Sequence, residues 1–297
     1  MATITTGTSM FPTQLVNEVF GKVKGHSSLA LLSAQAPIPF AGQDMFVFSM
    51  DGEASIVGEG VSKPAGEADW SPVTIKPIKF VYQHRITDEF INMSDEAQIP
   101  YLAAFTDGFA KKMGRALDIA AFHGVNPADG EASDIVGTNN FDSQITDNIV
   151  EYDSSAPDDN VDDAVALIQA NDCIVTGIAM ADTFASAIGK LKTTDGYALY
   201  PEFRFGNNPG SFGGMNADIN NTVSYNSSSD RAIVGDFANA FRWGYAANVP
   251  MEVIQFGDPD GQGDLKRTNE IVLRAEAYIG WGILDTDSFA IIQAAAA

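Results

Sequence analysis

This sequence has little cysteine and few basic residues. Its single cysteine, Cys173, excludes an internal disulfide framework and any zinc site made of cysteines. Lysine and arginine total 17 against 39 aspartates and glutamates, so the formal net charge is -22. Tight nucleic-acid binding draws on clustered basic side chains that displace counterions from phosphates, and the densest basic groups here are pairs such as Lys111 and Lys112. The composition therefore disfavours a gene regulator or a nucleic-acid enzyme.

Long apolar runs and the signature motifs of catalysis are also missing. No apolar run approaches the roughly 20 residues that a helix needs to cross a bilayer. The opening MATITTGTSMFPTQLV has neither the basic start nor the apolar run of a secretory signal. The phosphate-binding patterns GxGxxG and GxxxxGKS/T do not occur, nor does the GxSxG nucleophile turn. We expect a soluble protein that is cytoplasmic at synthesis and is not an enzyme.

Histidines and acidic loops are the remaining candidates for a metal or catalytic site. His26, His84 and His123 lie far apart in three elements, which favours packing or capping roles over a metal site or a catalytic triad. The stretch DPDGQGD, residues 258–264, has the acidic spacing of a calcium loop, but the twelfth position is Asn269 rather than a bidentate glutamate. A surface turn is the favoured interpretation, and a calcium loop is the alternative.

The first third of the chain predicts a polar N-terminal segment followed by a long hairpin. A polar leader, residues 1–36, contains one short helical segment, FPTQLVNEVFGKV, which is too short to be stable alone. Alternating apolar residues predict a strand in DMFVFSM and a second run from Ile78 to Ile86, which is extended upstream by Val73 and Ile75 on the opposite parity. We expect these two runs to pair as a long hairpin with a bulge near Pro77 and a tip rich in glycine and proline. Because an isolated hairpin is marginal in water, it needs a neighbour.

The remainder predicts one long helix and an α/β unit. Apolar residues in steps of three and four run from Gln98 to His123 and stop at Gly124, which is typical of a scaffold helix. From about Glu151, strands alternate with short helices, one of them with Asn160 as its predicted cap and another preceded by the buried strand CIVTGIAM. The acidic residues before and within the first of these helices are interpreted as solvated loop and helix N-terminal charge, with weak divalent-ion binding as the alternative. The segment NEIVLRAEAYIGWGILDTDSFAIIQ predicts a long strand with a short ending.

Five segments in this order resemble one known family. They are VTIKPIKFVYQHRITDEFI, FAKKMGRALDIAAFHG, LKTTDGYALYP, IVGDFANAFRWGY and LRAEAYIGWGILDTDSFAII. Together they are similar to the major capsid protein of tailed double-stranded-DNA bacteriophages, the Hong Kong 97 fold, over essentially the whole chain. No single segment is diagnostic, and the order of all five makes the match specific.

The resemblance implies an α+β fold with an N-terminal arm, an extended E-loop hairpin, a P-domain with a long spine helix, and an α/β A-domain. The implied boundaries are 1–36 for the N-terminal arm, 37–50 for the start of the P-domain, 51–82 for the E-loop, 83–150 for the P-domain with the spine helix, 151–261 for the A-domain and 262–297 for the P-domain return.

The function that the resemblance implies is structural. Copies would self-assemble into hexamers and pentamers and close as an icosahedral shell around double-stranded DNA, without specific DNA binding, cofactor, metal or membrane. A portal protein, and a separate scaffolding protein if any, would be partners. The expected location is the virion, with assembly in the host cytoplasm.

Contacts between subunits are expected on the two extensions. In the family the E-loop lies across the adjacent subunit, which implies that Trp70, Val73 and Ile75 are buried between chains. The N-terminal arm would place Leu15 and Val19 on neighbours. Some members weld subunits through a Lys–Asn isopeptide bond, but no motif matches the asparagine or glutamate partners. Lys63, on the tip, is therefore interpreted as a solvated or interface lysine.

Two alternatives remain open at this point. An encapsulin-like nanocompartment shares the fold and encloses enzymes, whereas the arm and the long E-loop favour the virus. A calcium-dependent binding module or hydrolase built around the aspartate loops is a rival from another class. Such a protein would be a monomer or small oligomer.

Overall fold

The structure is a computed structural model that describes residues 27–51, 54–63, 65–92, 95–246 and 251–295. Its α-helices are α1 (Ser28–Leu32), α2 (Asp95–His123), α3 (Phe141–Gln144), α4 (Pro157–Ala170), α5 (Asp182–Ile188) and α6 (Leu265–Thr268). Short 3-10 helices cover Asp88–Asn92, Pro201–Gly206 and Tyr225–Ser227. Within this part of the chain, every helix is too short or too polar to span a membrane.

Twelve strands occur in the described ranges. They are β1 (Gln43–Asp51), β2 (Glu67–Ile75), β3 (Ile78–Thr87), β4 (Ile149–Glu151), β5 (Gly177–Met180), β6 (Ser211–Phe212), β7 (Met215–Ile219), β8 (Asp230–Gly235), β9 (Phe241–Tyr245), β10 (Met251–Ile254), β11 (Glu270–Ile283) and β12 (Phe289–Gln293). They form a two-stranded hairpin, a four-stranded sheet and a six-stranded sheet.

The hairpin consists of β1 and β2, which are antiparallel and in register from Gln43 opposite Ile75 to Asp51 opposite Glu67. The sequence predicted a hairpin whose second strand runs from Val73 through Pro77 to Ile86. The part before Pro77 is confirmed, since Val73 and Ile75 lie in β2, but the run from Ile78 to Ile86 does not pair with β1. That run is β3, which pairs with β11 instead. The opposite parity on the two sides of Pro77 therefore marks two separate strands in two sheets, not a bulge within one strand.

The four-stranded sheet is built around β11, which is 14 residues long. Strand β3 lies along one edge of β11, while β10 and β9 pair with successive parts of it. The six-stranded sheet has the order β4-β12-β8-β5-β7-β6 and mixes parallel and antiparallel pairs. The long strand with a short ending is confirmed, as β11 followed by β12.

Strand pairing does not follow the predicted boundary at residue 261. Strands β9 and β10 lie in the segment predicted as the A-domain, yet both pair with β11. Strand β12 lies in the predicted P-domain return, yet it pairs with β8 and β4 in the six-stranded sheet. Apolar patterning identifies strands but carries no information about their partners, which is why these pairings were not predicted.

The long helix α2 has 29 residues and ends at His123, as its pattern predicts. Gly124 follows with φ of +66°, and a Cβ there would lie 2.4 Å from the Asn140 Nδ2 atom. Glycine at this position therefore stops the helix and admits the Asn140 side chain. The predicted apolar stripe is buried over its described part, at Leu102, Phe105, Phe109, Met113, Leu117 and Ala120.

Phenylalanines fill the core where the end of α2 meets the six-stranded sheet. The fully buried rings there are Phe122, Phe141, Phe237 and Phe289, with Phe241 beside them. The Phe141 ring centroid lies 5.1 Å from that of Phe289 and 5.6 Å from those of Phe122 and Phe241. These edge-to-face and tilted contacts join α3 to α2 and to both sheets.

Residues 27–36 were predicted as part of an N-terminal arm, but they belong to the body of the subunit. Ser27 caps α1 by accepting from the Ala30 amide at 3.1 Å, and Leu29 is fully buried. The Ala36 amide donates to the Trp243 carbonyl at 2.9 Å, which continues the sheet beside β9. Residues 27–36 are therefore part of the folded subunit.

Two local predictions in the α/β unit are corrected. Helix α4 begins at Pro157 with Ala156 at its N-cap, so Asn160 lies inside the first turn rather than capping it. The Asn160 side chain instead accepts from the Asp153 amide at 3.0 Å and holds the preceding loop. The predicted buried strand CIVTGIAM is a strand only over its second half, β5.

Candidate functional site

The hairpin carries an exposed aromatic face. Alternation along two antiparallel strands places Phe46, Phe48 and Trp70 on one side, and Phe48 lies directly opposite Trp70. The Phe46 and Trp70 ring centroids are 5.1 Å apart in an edge-to-face contact. The three side chains are 63%, 62% and 66% exposed. Nothing in the described part of the chain covers this side, which we call the aromatic face.

The opposite side of the hairpin packs on its own subunit near the hairpin's root. Ile75 is fully buried and Val73 is half-buried. A Cβ on Gly282 of β11 would lie 2.9 Å from Ile75 Cγ1 and 3.5 Å from Val73 Cγ1, so the missing side chain makes room for both. The prediction that Ile75 is buried between chains is therefore wrong, because its own chain already buries it.

The tip of the hairpin extends into solvent. Ile56 and Val61 are exposed, and Lys63 is exposed beside them. Leu15 and Val19, the other two residues predicted at contacts, lie outside the described residues. Trp70 keeps the exposure that an intersubunit role requires, and Lys63, Leu15 and Val19 stay predictions.

Phe46 and Phe48 complete the aromatic face, and the sequence predicted them only as one side of a strand. Their equal parity with Trp70 was not predicted, because the hairpin was predicted without a register between its two strands. The aromatic character of the stretch FVF, followed across a Gly/Pro-rich tip by Trp70, is the signal that indicates a shared face.

A charged cluster links the end of β3 to the loop that precedes α6. Arg85 donates to both carboxylate oxygens of Asp260, with Nε 2.7 Å from Oδ2, and to Glu270 at 3.0 Å. Its Nη2 also donates to the Gly263 carbonyl at 2.7 Å and lies 3.4 Å from Asp258 Oδ1. The guanidinium thus takes the place among these oxygens that a calcium ion would need.

The charge of Arg85 also affects the acidity of its partners. Hydrogen bonding to Arg85 lowers the pKa of Asp260 to about 2. Hydrogen bonds from Thr268 and Arg85 lower the pKa of Glu270. Arg85, rather than an ion, therefore neutralises these carboxylates, which supports the surface-turn interpretation of DPDGQGD over the calcium loop.

A buried carboxylate joins α2 to the segment that precedes the hairpin. Asp118 is fully buried and accepts from the Ser27 hydroxyl and from the amides of Ser28 and Leu29, at 2.9 Å and 3.3 Å. Asn220 Nδ2 and Thr222 Oγ1 donate to it at 3.1 Å and 3.0 Å. Burial raises the pKa of Asp118 to about 6, against the lowering effect of these hydrogen bonds. This arrangement is structural, since it caps α1 and anchors the loop around residue 220.

His84 fits the packing role that the sequence predicted. It is half-buried, its ring centroid lies 5.0 Å from that of Phe105, and burial lowers its pKa. His26 lies outside the described residues. The third histidine, His123, is nearly buried and faces two carboxylates, Asp142 and Asp230.

The chain is similar to phage capsid proteins. The model of the phage capsid family matches residues 7–294. A solved structure from Mycobacterium phage Ogopogo is 34% identical, with a TM-score of 0.79, and the match covers 91% of this chain and 92% of that one. A structure from Gordonia phage Cozz is 24% identical, with a TM-score of 0.70 and coverage of 92% and 87%.

A more distant structure shares the fold alone. It is described as the capsid of an empty GTA particle computed with C5 symmetry, and it is 16% identical with a TM-score of 0.60. The match covers 91% of this chain and 90% of that one. Among curated proteins, no sequence matches.

Proposed function

The chain belongs to the phage capsid family and is a structural capsid protein, and from that premise we propose that its copies form the hexamers and pentamers of an icosahedral shell. The proposal rests on the aromatic face of the hairpin, which is exposed on the isolated subunit. Contiguous apolar patches are uncommon on soluble monomers and mark interaction surfaces. A neighbouring copy is the partner that a shell supplies.

The apolar area of the aromatic face would contribute favourably to a contact between copies. Aromatic side chains bury about 150–250 Å² each, and at about 25 cal/mol per Å² the exposed parts of Phe46, Phe48 and Trp70 correspond to roughly 10 kcal/mol per contact. The cost of ordering side chains and fixing the partner reduces that figure. Repeated around a ring, such contacts are heterologous and close by rotation.

This role lets each part of the subunit be assigned to a part of the capsid fold. We assign the hairpin of β1 and β2 with its tip as the E-loop, α2 as the spine helix of the P-domain, and the six-stranded sheet with its helices as the A-domain. The N-terminal residues before position 27, including Leu15 and Val19, are assigned as an arm that reaches other copies. Lys63 and Trp70 on the E-loop then face the adjacent subunit.

The net charge of -22 is compatible with a container for DNA. Like charge keeps a phosphate polymer from adhering to the lining, so the genome is enclosed without specific binding. A portal protein and, if one is used, a separate scaffolding protein complete the assembly, which takes place in the host cytoplasm. No cofactor or catalytic step enters this function.

The experiment is to purify the full chain and examine it by electron microscopy, sedimentation velocity and solution scattering. We expect capsomers or closed particles far larger than the 31.6 kDa subunit. A compact monomer at about 100 µM, with the hairpin and the N-terminal residues folded onto its own body, would contradict the proposal.

The proposal that the shell encloses DNA is tested on particles formed in cells that carry the full set of phage genes. We expect double-stranded DNA, seen as nuclease-protected absorbance at 260 nm. Particles that enclose an enzyme and lack DNA would instead support the encapsulin-like alternative, which shares the fold.

A further inference from the structure

His123 ends α2 with its ring held in one orientation. Its Nε2 atom lies 2.9 Å from the Thr222 carbonyl oxygen. Because a carbonyl oxygen can only accept, Nε2 carries a hydrogen. Nδ1 is hydrogen-bonded to the Asp142 carboxylate, so its lone pair becomes available to another ligand only when the hydrogen between them is displaced. The side chain is 5% exposed, so Nδ1 faces protein groups rather than bulk water.

Two carboxylates converge on this nitrogen from different elements. Asp142 in α3 places Oδ2 at 2.8 Å from His123 Nδ1, and Asp230 at the start of β8 places Oδ2 at 3.4 Å. One ligand atom from each of the three residues lies within 4.8 Å of the other two. The three residues are far apart in the chain, which is why the sequence predicted only a packing or capping role for His123 and no metal site.

Asp230 has the most deeply buried side chain of this cluster. Its side chain is 1% exposed, and Gln293 Nε2 donates to Oδ1 at 2.9 Å. The other oxygen, Oδ2, is buried and accepts no hydrogen bond from the described residues. A buried carboxylate oxygen without a donor is costly unless a proton or a cation occupies the space in front of it.

We propose that His123, Asp142 and Asp230 bind one divalent transition-metal ion, with Zn²⁺ as its representative. One imidazole nitrogen and two carboxylate oxygens are ligands that such ions accept, whereas Ca²⁺ and Mg²⁺ take oxygen ligands only. The bond from Nε2–H to the Thr222 carbonyl is the outer contact that metal-bound histidines almost always make.

Access to the site runs past Asp142, whose side chain is 32% exposed. Three protein ligands leave a fourth position for water on that side. The ion would connect the end of α2 to α3 and to the edge of β8, and thus the long helix to the six-stranded sheet. It is therefore a structural ion, independent of the assembly function proposed above.

Protons compete with a metal ion for this cluster. In the ion-free cluster a proton lies between His123 Nδ1 and Asp142 Oδ2, which are 2.8 Å apart and cannot both be unprotonated acceptors. Metal binding displaces protons from its ligands. A site for an ion and a site for protons alone therefore differ in a measurable way.

The first test uses the full-length unassembled protein after chelation and dialysis. Calorimetric titration with Zn²⁺ at pH 7.5, in two buffers of different ionisation enthalpy, should give one site per chain and a net release of protons. At a hundredfold excess over Kd, Zn²⁺ should raise the Tm by about 5 °C. Ca²⁺ at the same concentration should not change it. Absence of a stoichiometric site, or an equal shift with Ca²⁺, overturns the proposal.

The second test compares matched substitutions. Asp142→Asn removes one ligand at a partly exposed position and should weaken Zn²⁺ binding at least tenfold. Asp159→Asn, at an exposed carboxylate in the first turn of α4, is the control and should leave binding unchanged. Equal affinities of the two variants would show that the ion binds elsewhere.

A measurement on the unmodified chain keeps the proposal testable if Asp142→Asn fails to fold. One equivalent of Co²⁺ should produce visible absorption bands of a low-symmetry site with nitrogen and oxygen ligands, and Zn²⁺ should abolish them by displacement. A spectrum identical to that of aqueous Co²⁺ would show that the cluster holds only protons.

Discussion

Ile75, at the root of the hairpin, packs against Gly282 of β11, where a Cβ would come within 2.9 Å of Ile75 Cγ1. Gly280 lies two residues earlier on the same face of β11, and a Cβ there would be 3.2 Å from Ile75 Cγ2. The two glycines in YIGWGI thus form a shallow groove in the long strand. Ile75 fills this groove, which fixes where the hairpin leaves the subunit.

Gly282→Val should detach the root of the hairpin. The added side chain overlaps Ile75 and forces it out of the groove, which we expect to lower the free energy of unfolding by about 1–3 kcal/mol. Limited proteolysis should then cut the hairpin faster than in the unmodified protein. Gly66→Val is the matched control, because a Cβ there meets nothing within 4 Å. Equal cleavage rates in the two variants would contradict this account of Ile75.

Asp118→Asn should destabilise the subunit strongly. The carboxylate accepts five hydrogen bonds, and an amide cannot accept from all five donors with its nitrogen in place of one oxygen. Leaving buried donors unsatisfied should cost about 3–5 kcal/mol, measured by chemical denaturation.

The control for this change lies on the same helix. Asp107 pairs with Lys111 at 3.0 Å on the solvent side, so Asp107→Asn should cost no more than about 0.5 kcal/mol. A similar loss of stability in both variants would mean that the network around Asp118 contributes no more than a surface ion pair.

Elements that depend on local signals were predictable from the sequence. The end of α2 at His123 follows from an apolar stripe that stops at Gly124, and the glycine is required by its positive φ. The long strand β11 follows from apolar residues over most of its length. In both cases, the residues of one segment are enough to predict the element.

Strand partners and side-chain clusters were not predictable, because they depend on segments far apart in the chain. The second strand of the hairpin contains Pro72 and a charged start, so the sequence predicted it only as the upstream part of a strand that continues into β3. Ile75 was misassigned for the same reason, since β11 becomes its neighbour only in the folded chain. Likewise, nothing near His123 in the sequence indicates Asp230.

Asp260→Asn should lower the Tm of the unassembled subunit by a few degrees at pH 7 and have little effect at low pH. Hydrogen bonding to Arg85 lowers the pKa of Asp260 from its ordinary 3.8 to about 2. The stabilisation from this pair is thus present above about pH 4 and is lost as the pH falls from there towards 2.

Thermal unfolding between pH 7 and pH 3 measures this dependence. The difference in Tm between the unmodified protein and Asp260→Asn should shrink below about pH 4. Asp258→Asn is the control, because its carboxylate is more exposed and lies 3.4 Å from Arg85. A difference that stays constant with pH would show that Asp260 does not act through its charge.

Trp70→Ala should prevent or weaken assembly while the subunit stays folded. The ring is 66% exposed and contacts Phe46 across the hairpin, so its loss within the subunit should cost no more than about 1 kcal/mol. Between subunits the same ring is proposed to be buried, and its removal should reduce the fraction of chains in particles several-fold.

Sedimentation and electron microscopy measure the assembled fraction, and thermal unfolding of the unassembled chain measures its fold. Ile174→Ala is the control, because Ile174 is 60% exposed but lies on the body of the subunit, away from the hairpin. We expect it to assemble as the unmodified protein does. If Trp70→Ala also assembles normally, the aromatic face is not the contact between copies, and the argument from its exposure fails. If that variant unfolds, Trp70 supports its own chain rather than a neighbour.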